Sequence, residues 1–155
     1  MDGLQYLHWR GLCHLDIQPD NIVLGSVRSL QIKIIDLGSA QRVSKLGTIV
    51  TAPSTDYTGK CSRLISFLLE ILMILLFVLA PEILCNEPAF PQTDIWSLGV
   101  LTYVLLSGVS PYRGVSSEET RQNITFVRYR FEYLYKELTQ EATRFLMLVF
   151  KRTPK

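Results

Sequence analysis

Three side chains that can bind a metal ion or move a proton lie near the amino terminus. Asp16 and Asn21 fall within HLDIQPDNIVL, residues 14–24, and Asp36 follows the apolar run in KIIDLGSA. An Asp and an Asn at neighbouring strand ends offer the hard oxygen ligands that magnesium prefers, with substrate phosphates as further ligands. Asp16 is then placed to orient a hydroxyl group and accept its proton. Each acid alone is better explained as a turn residue or helix cap, but together, in this order, they favour a magnesium and phosphate site.

The elements on either side of this stretch are predicted to be a helix and a hairpin. A short helix ending at Gly11 is indicated by apolar residues at helical spacing, namely Leu4, Tyr6 and Leu7. Residues 21–24 and 31–35 are short apolar runs typical of strands. Gly25 and Ser26, which are typical of turns, lie between them, and this pattern predicts a hairpin. Pro19 stiffens the loop between helix and hairpin, so the loop is expected to mount its polar side chains rigidly.

The rest of the chain is predicted to be mostly helical. Residues 94–107, DIWSLGVLTYVLLS, are apolar on nearly every face, which predicts a helix that is buried all round and ends at Gly108. Ser116 and Glu119 match a capping box for a short polar helix. Thr139 is placed to cap a last helix, whose core-facing stripe is predicted from residues at helical spacing, Ala142, Phe145, Leu146 and Val149.

Composition and charge limit the classes of protein that need consideration. The chain has 155 residues, of which 48% are apolar and 19% charged, so it suits one globular domain or part of a larger one. Its formal net charge of +2 is too weak to predict a nucleic acid or an acidic membrane surface as a partner. Cys13, Cys61 and Cys85 lie far apart and lack metal-ligand spacing, and the first residues lack an apolar signal-peptide core. A cytoplasmic protein with reduced thiols is therefore expected.

Four segments in this order resemble the motifs of protein kinases. HLDIQPDN resembles the catalytic loop H-R-D-L-x-x-x-N, DLG resembles D-F-G, and LAPEIL of residues 79–84 resembles A-P-E. DIWSLGVLTYVLLSGVSPYRG, residues 94–114, is similar to the large buried helix and loop that follow in the family. The resemblance covers essentially the whole chain and is strongest to the titin-like and Trio-like branch, which includes the giant muscle proteins obscurin and SPEG. It implies a mainly α chain, α+β overall: a kinase C-terminal lobe with a small β-hairpin, incomplete at both ends.

The resemblance also implies cofactors and roles for individual residues. The complete domain is expected to bind ATP and Mg²⁺ and to transfer the γ-phosphate to serine or threonine hydroxyls of a protein substrate. Asp16 matches the base that accepts the hydroxyl proton, and Asn21 and Asp36 match the magnesium ligands. Val23 matches the apolar residue under the adenine ring. Asp94 matches the buried helix acid that braces the catalytic loop.

Several positions depart from the family pattern. Gln18 stands where the family usually has a lysine that neutralises charge on the transferred phosphate, and losing such a contact costs about 3 kcal/mol, or roughly 100-fold in rate. Leu15 replaces the arginine that binds a phosphorylated activation loop, so activation by loop phosphorylation is not expected. Glu82, in the A-P-E motif, is expected to pair with an arginine that lies beyond the final KRTPK.

Residues 1–155 are therefore interpreted as a partial kinase domain. No Gly-rich phosphate loop, strand lysine or helix glutamate precedes the catalytic loop, so the kinase N-terminal lobe is an expected partner and the isolated chain is expected to be inactive. Sarcomeric proteins are further expected partners, with a cytoplasmic or sarcomeric location. The alternative is a pseudokinase or scaffold module of a giant muscle protein, which Gln18 favours and the intact Asp16, Asn21 and Asp36 oppose.

Residues 59–79, GKCSRLISFLLEILMILLFVL, fit no kinase motif. A buried helix is one interpretation, and a membrane span is another, although the run is short for a span and carries Glu70 midway. A third hypothesis is a retained intron. Gly-Lys-Cys can be encoded GGT-AAG-TGT, which contains the splice-donor sequence GTAAGT. Phe-Val-Leu followed by Ala80 can be encoded TTT-GTT-TTA-GCN, a pyrimidine tract ending in AG. Removing the segment joins TDYT to APEIL in frame and restores the expected end of an activation segment.

Overall fold

Helices dominate the part of the chain that a computed structural model describes, residues 2–26, 29–44, 47–49, 78–129 and 138–151. The helices are α1 (Asp2–Trp9), α2 (Pro81–Leu84), α3 (Pro91–Ser107), α4 (Ser117–Thr125) and α5 (Gln140–Val149). The strands form three antiparallel pairs: β1 (Leu12–Cys13) with β4 (Gln41–Arg42), β2 (Ile22–Ser26) with β3 (Ser29–Ile34), and β5 (Thr48–Ile49) with β6 (Pro88–Ala89). The predicted fold class, mainly helical with a small hairpin, is confirmed.

The predicted ends of two helices are confirmed by their backbone geometry. Gly11 follows α1 with a φ of 72°, and its N–H donates to the carbonyl oxygen of His8 at 2.9 Å. Gly108 follows α3 with a φ of 73°, and its N–H donates to the carbonyl oxygen of Val104 at 2.8 Å. Glycine adopts this left-handed backbone without steric cost, so both positions terminate their helices cleanly.

The predicted hairpin is confirmed, and its register sets the end of the polar loop. Ile22 of β2 pairs with Ile34 of β3, and the backbone N–H of Ile35 donates to the carbonyl oxygen of Asn21 at 2.9 Å. Asn21 lies just before β2 and Asp36 lies two residues after β3. The antiparallel register therefore brings the backbones at these two positions to the same end of the ribbon.

The core is built around the middle of α3. The rings of Trp96 and Tyr112 stack with centroids 5.2 Å apart, and Phe150, at the end of α5, lies tilted 5.6 Å from Trp96. Around them lie further buried apolar residues: Ala80, Ile83, Leu84, Ala89, Val100, Tyr103, Ile124 and Leu146. These residues come from four helices and the segments between them, so α3 is the element on which the others assemble.

The prediction that the apolar helix is buried all round is wrong at its carboxyl end. The helix begins at Pro91, earlier than predicted, and its buried residues extend only as far as Tyr103. In the last turn Leu105 is 75% exposed and Leu106 is 49% exposed. Neighbouring elements cover α3 along only part of its length, and the types of residue along a helix do not reveal how far its neighbours extend.

The caps of the last two helices follow the predictions with one difference. The Ser116 hydroxyl accepts the backbone N–H of Glu119 at 3.1 Å, but the Glu119 carboxylate accepts the N–H of Val115 at 2.7 Å instead of that of Ser116. The reciprocal half of the predicted capping box is therefore displaced by one residue. The Thr139 hydroxyl accepts the N–H of Ala142 at 3.2 Å, as expected for the cap of α5.

Only the end of the apolar segment 59–79 belongs to the described residues. Val78 and Leu79 are half-buried and pack against the core, and the Ser97 hydroxyl donates to the carbonyl oxygen of Val78 at 2.7 Å. Residues 59–77, on which the membrane and buried-helix interpretations rest, lie outside the described part. Within the described ranges, no helix has both the length and the apolar content needed to cross a bilayer.

We predict that Gly99→Ala destabilises the chain although alanine favours helix. A Cβ atom at this position of α3 would collide with Val149 of α5 and would lie 3.4 Å from the ring of Phe150. Overpacking of this kind costs about 1–3 kcal/mol. Gly3→Ala in α1 is the matched control, because its Cβ would lie at an ordinary 3.5 Å from Ile34 and should add about 0.5 kcal/mol. Urea unfolding measures both, and a Gly99→Ala variant as stable as the parent would contradict the close packing of α3 and α5.

Candidate functional site

The site is organised by a buried carboxylate in the first turn of α3. Asp94 has no exposed surface, and its Oδ1 accepts the backbone N–H of Leu15 at 2.7 Å. Its Oδ2 accepts the backbone N–H of His14 at 2.8 Å and contacts Nε2 of His8 at 2.7 Å. Three hydrogen bonds compensate the cost of burying the charge. They also tie α1 and the start of the polar loop, residues 14–21, to α3.

The first turn of α3 is itself tied to α2. The Thr93 hydroxyl donates to Oε1 of the buried Glu82 at 2.6 Å and accepts the backbone N–H of Phe90 at 3.1 Å. Glu82 was expected to pair with an arginine beyond residue 155, and its described partner is this neutral hydroxyl. The contact fixes the residue next to Asp94, so the A-P-E segment helps to position the carboxylate that holds the polar loop.

Two residues of the site have left-handed backbone conformations, which residues other than glycine seldom adopt. Leu15 has a φ of 63°, and the same residue donates its N–H to Asp94. Asp36 has a φ of 62°, and its Oδ1 accepts the N–H of Gly38 at 2.9 Å. Such conformations cost about 1–3 kcal/mol each and persist only where surrounding contacts impose them. The two strained residues lie next to Asp16 and at the end of β3, where the sequence predicts the chemistry.

Asp16, Gln18 and Asn21 form one hydrogen-bonded cluster. The Asn21 side-chain amide donates to the Asp16 carbonyl oxygen at 2.9 Å and to Asp16 Oδ2 at 2.7 Å. The Gln18 side-chain amide also donates to Asp16 Oδ2, at 3.2 Å. The 3₁₀ turn Pro19–Asn21 brings the chain back so that Asn21 can reach Asp16. The half-buried Asp16 carboxylate therefore has one oxygen that accepts two amides, while Oδ1 has no hydrogen-bond partner among the described residues.

His14 connects this cluster to the end of β3. Its Nε2 lies 3.1 Å from the carbonyl oxygen of Ile35, and its Nδ1 lies 3.3 Å from the backbone nitrogen of Asp16. The first partner can only accept and the second can only donate, so the ring is in the Nε2–H tautomer. The fully buried imidazole thereby links the backbone of Asp16 to the residue just before Asp36.

The oxygens of Asn21 and Asp36 fit the donor set of a magnesium site. Both amide hydrogens of Asn21 are used by Asp16, which leaves its Oδ1 as an acceptor with no partner among the described residues. Asp36 is exposed, and only its Oδ1 has a hydrogen bond within the described ranges. An amide oxygen and a carboxylate oxygen are hard ligands of the kind that magnesium takes alongside phosphate oxygens.

Val23, which the resemblance matches to the residue under the adenine ring, lies on β2 opposite Lys33 and is partly exposed on the ribbon.

A second cluster of ligand-type atoms is structural. His8, Cys13 and Asp94 bring a ring nitrogen, a thiol and a carboxylate oxygen within 4.8 Å of one another. Burial, with a smaller contribution from Asp94, raises the pKa of the Cys13 thiol to about 12, so the thiol stays protonated and carries no charge beside Asp94. A metal ion here would have to deprotonate that thiol and displace His8 from Asp94. The cluster therefore supports the loop, and the reduced thiol agrees with its buried place in β1.

Sequence reasoning missed His8 and assigned no role to His14. His8 follows the buried Leu4 by four residues, so the two lie on the same face of α1, and this spacing was a usable signal for an inward-facing polar group. The role of His14 depends on the approach of β3 to the polar loop. In the sequence, the only signal for this role was the position of His14 as the first residue of HLDIQPDN. The structure brings Asp16, Gln18 and Asn21 into direct contact, whereas Asp36 is connected to them through backbone hydrogen bonds and His14.

We predict that Asp94→Asn loosens the polar loop. An asparagine presents one acceptor and one donor, so the N–H of either His14 or Leu15 is left unpaired at a cost of about 1–3 kcal/mol. Hydrogen exchange at those two amides should become roughly tenfold faster or more. Asp20→Asn, which changes an exposed acid of the same loop, is the control and should leave both amides protected. Equal protection in the parent and Asp94→Asn chains would show that Asp94 does not hold the loop.

Comparison with known proteins identifies the family. The profile of the protein kinase domain matches residues 1–155. Smooth muscle myosin light chain kinase of Gallus gallus is 32% identical over 155 residues, 99% of this chain and 7% of that protein. Striated muscle preferentially expressed protein kinase of Danio rerio is 36% identical over 154 residues, 99% of this chain and 4% of that protein.

Solved structures agree with these relatives. The structure of titin kinase and its flanking domains has a TM-score of 0.77 and 31% identity, covering 97% of this chain and 24% of that one. The twitchin kinase region of C. elegans has a TM-score of 0.75 and 28% identity, covering 97% of this chain and 23% of that one. The chain thus spans only a small part of the relatives that it matches. It belongs to the protein kinase domain family and is related to the muscle serine/threonine kinases.

Proposed function

We propose that this chain is the C-terminal lobe of a serine/threonine protein kinase whose remaining lobe lies outside the 155 residues. In the complete domain it would transfer the γ-phosphate of ATP to a protein hydroxyl. The observation that carries the proposal is the cluster in which both amide hydrogens of Asn21 are donated to Asp16. This arrangement holds Asp16, the proposed base, in place and leaves the Asn21 Oδ1 as an acceptor for a metal ion. A turn or a helix cap alone would not require such an arrangement.

Asp16 is proposed as the group that accepts the substrate proton. Its Oδ2 is occupied by the amides of Gln18 and Asn21, so a substrate hydroxyl would meet Oδ1. The hydroxyl oxygen bonds to the γ-phosphorus as the bond to the leaving ADP oxygen breaks, and Asp16 takes the hydroxyl proton. Positioning of this kind supplies most of the catalysis in phosphoryl transfer, because the reaction needs little covalent participation by the protein.

Asn21 and Asp36 are proposed as the magnesium ligands, and Val23 as an apolar contact for the adenine ring. Their oxygens would hold the ion beside the phosphates of ATP, where its positive charge would offset the negative charge that develops during transfer. The open oxygens of Asn21 and Asp36 and the left-handed backbone of Asp36 support this assignment. The role of His14 would be to keep the Asp36 end of β3 aligned with Asp16.

A pseudokinase or scaffold module is the second candidate, and the environment of Gln18 favours it. Its neutral amide reaches Asp16 but brings no positive charge to the transferred phosphate. A domain with this residue would bind magnesium and ATP but transfer phosphate slowly. The isolated chain is proposed to be inactive in either case, because the groups that clamp the ATP phosphates in this family belong to the other lobe. Autophosphorylation by this chain that is lost in Asp36→Ala would contradict that statement.

We also propose that residues 59–79 do not belong to the functional domain and derive from a retained intron. The compatible splice signals and the in-frame junction of Thr58 with Ala80 support this reading. Sequencing the cDNA from upstream of Met1 through Ala80 tests it, since a transcript without the segment is expected. A transcript that begins at Met1 and keeps the segment would make catalysis by the product improbable on physical grounds.

The muscle kinases among the relatives support a muscle setting. Two of the relatives are muscle kinases, and a third is the kinase of the giant muscle protein titin. We propose a cytoplasmic location at the sarcomere, with sarcomeric proteins as partners and substrates. Labelling of the full-length protein in muscle sections would show a striated pattern if this is correct and a diffuse one if it is not.

We predict that Asp16→Asn strongly slows phosphoryl transfer but retains binding of Mg²⁺·ATP. The test uses the complete domain produced from the full-length transcript. Loss of the base should lower kcat by about 10²–10⁴-fold, while Asp36→Asn should weaken Mg²⁺·ATP binding itself. Isothermal titration and peptide phosphorylation separate the two effects. A parent domain that binds Mg²⁺·ATP but transfers nothing would favour the pseudokinase, and one that binds no nucleotide would exclude the enzyme.

We predict that Gln18→Lys raises kcat by roughly 100-fold with little change in ATP affinity. The lysine would add a charged contact that counts most in the transition state. Gln18→Met is the matched control, because it keeps the length of the side chain while removing both the amide and any charge. If lysine and methionine give the same kcat, the absence of a cation at this position does not limit the rate.

A further inference from the structure

Helix α5 presents apolar side chains on two different faces. One face packs on the core through the fully buried Leu146, together with Phe145 and Val149. On the other side Met147 is 41% exposed and Leu148 is 59% exposed. Two neighbouring large apolar residues on the solvent side of a helix are unexpected if that side contacts only water.

These exposed residues line an open groove with a positively charged rim. The groove has a volume of about 580 Å³, and its apolar lining includes Met147, Leu148 and Leu138. Arg144 and Lys151 also line it, and none of its lining residues in the described part of the chain is acidic. Its volume lies within the range of clefts that bind ligands, roughly 300–1,000 Å³.

The order of four groove residues along the chain defines what the groove can recognise. Arg144, Met147 and Leu148 follow the i, i+3, i+4 pattern on one face of α5, and Lys151 lies two residues after the helix ends at Val149. The apolar pair therefore lies between two cations along the chain. A complementary ligand needs apolar anchors in its centre and carboxylates at its ends.

We propose that this groove is a docking site for an acidic amphipathic segment of a partner protein. Such a segment would place its apolar side chains on Met147 and Leu148 and its carboxylates beside Arg144 and Lys151. Helices that insert an apolar face into a groove use anchors at this spacing. Methionine suits such a surface because its flexible side chain adapts to differently shaped anchors.

The charges argue against a second copy of the chain as the occupant. A symmetric pairing places the same patch on both sides, so the cations of one copy would face the cations of the other around the apolar contact. Like charges brought together in this way cost several kcal/mol. The inference is independent of the proposed catalytic function, since the groove uses no residue of the polar loop.

The test measures binding of a synthetic acidic helix to the full chain. The probe is a stapled peptide with leucines at i and i+4 between two glutamates seven residues apart, and its counterpart carries lysines in place of the glutamates. The acidic peptide should bind at least tenfold more tightly than the basic one, and its affinity should fall as salt is added. Fluorescence anisotropy with labelled peptides measures both.

Two exposed substitutions and a matched control locate the binding. Leu148→Gln should weaken binding of the acidic peptide about tenfold, and the double variant Arg144→Glu with Lys151→Glu should reverse the preference towards the basic peptide. Leu106→Gln, at a comparably exposed leucine of α3, should change neither affinity. Equal binding of the two peptides, or no binding of either, would overturn the proposal. A dimer in sedimentation that disappears in Leu148→Gln would also overturn it, because the face would then serve self-association.

Discussion

The functional part of this chain depends on the burial of one carboxylate. Asp94 sits in the first turn of α3, without contact with water, and its two oxygens hold the backbone amides of His14 and Leu15 together with the ring of His8. A buried charge must be satisfied or it destabilises the fold, so the loop cannot leave α3 without a large cost. The left-handed Leu15 is held in place by the same contact. The packed helical core thereby fixes the position of the polar loop at the surface.

From this anchor the site extends through a short series of hydrogen bonds. His14 links the loop to the end of the hairpin, and Asn21 links the loop to its own beginning at Asp16. The proposed base and the proposed magnesium ligands are therefore organised within this chain, before a second lobe or a nucleotide contributes anything. Gln18 shares in the cluster but brings no charge. In the proposed mechanism this arrangement favours binding of Mg²⁺·ATP, but the complete domain transfers phosphate slowly. An enzyme and a scaffold are therefore both physically reasonable functions for that domain.

Much of this could be predicted from the sequence because the informative signals are local. The glycines that end helices and the hairpin pattern around Gly25 depend on backbone preferences of single residues, and the order of the kinase-like motifs identified the fold. The exposure of Leu105 and the second apolar face at Leu148 could not be predicted, because residue type does not reveal how far neighbouring elements reach. The partner of Glu119 shifted by one residue because two adjacent amides compete for one carboxylate. The role of His14 required the approach of two segments that are distant in sequence.

The central claim is that Asn21 and Asp36 hold the metal of a metal–nucleotide complex beside Asp16. The most direct measurement replaces Mg²⁺ by paramagnetic Mn²⁺ with ATP in the complete domain and follows the NMR signals of the polar loop. The account predicts that the Asn21 side-chain amide and the backbone amides around Asp36 broaden first, while signals of α5 stay sharp. Bound ATP with unbroadened Asn21 and Asp36 signals would contradict the account, because the metal would then lie elsewhere.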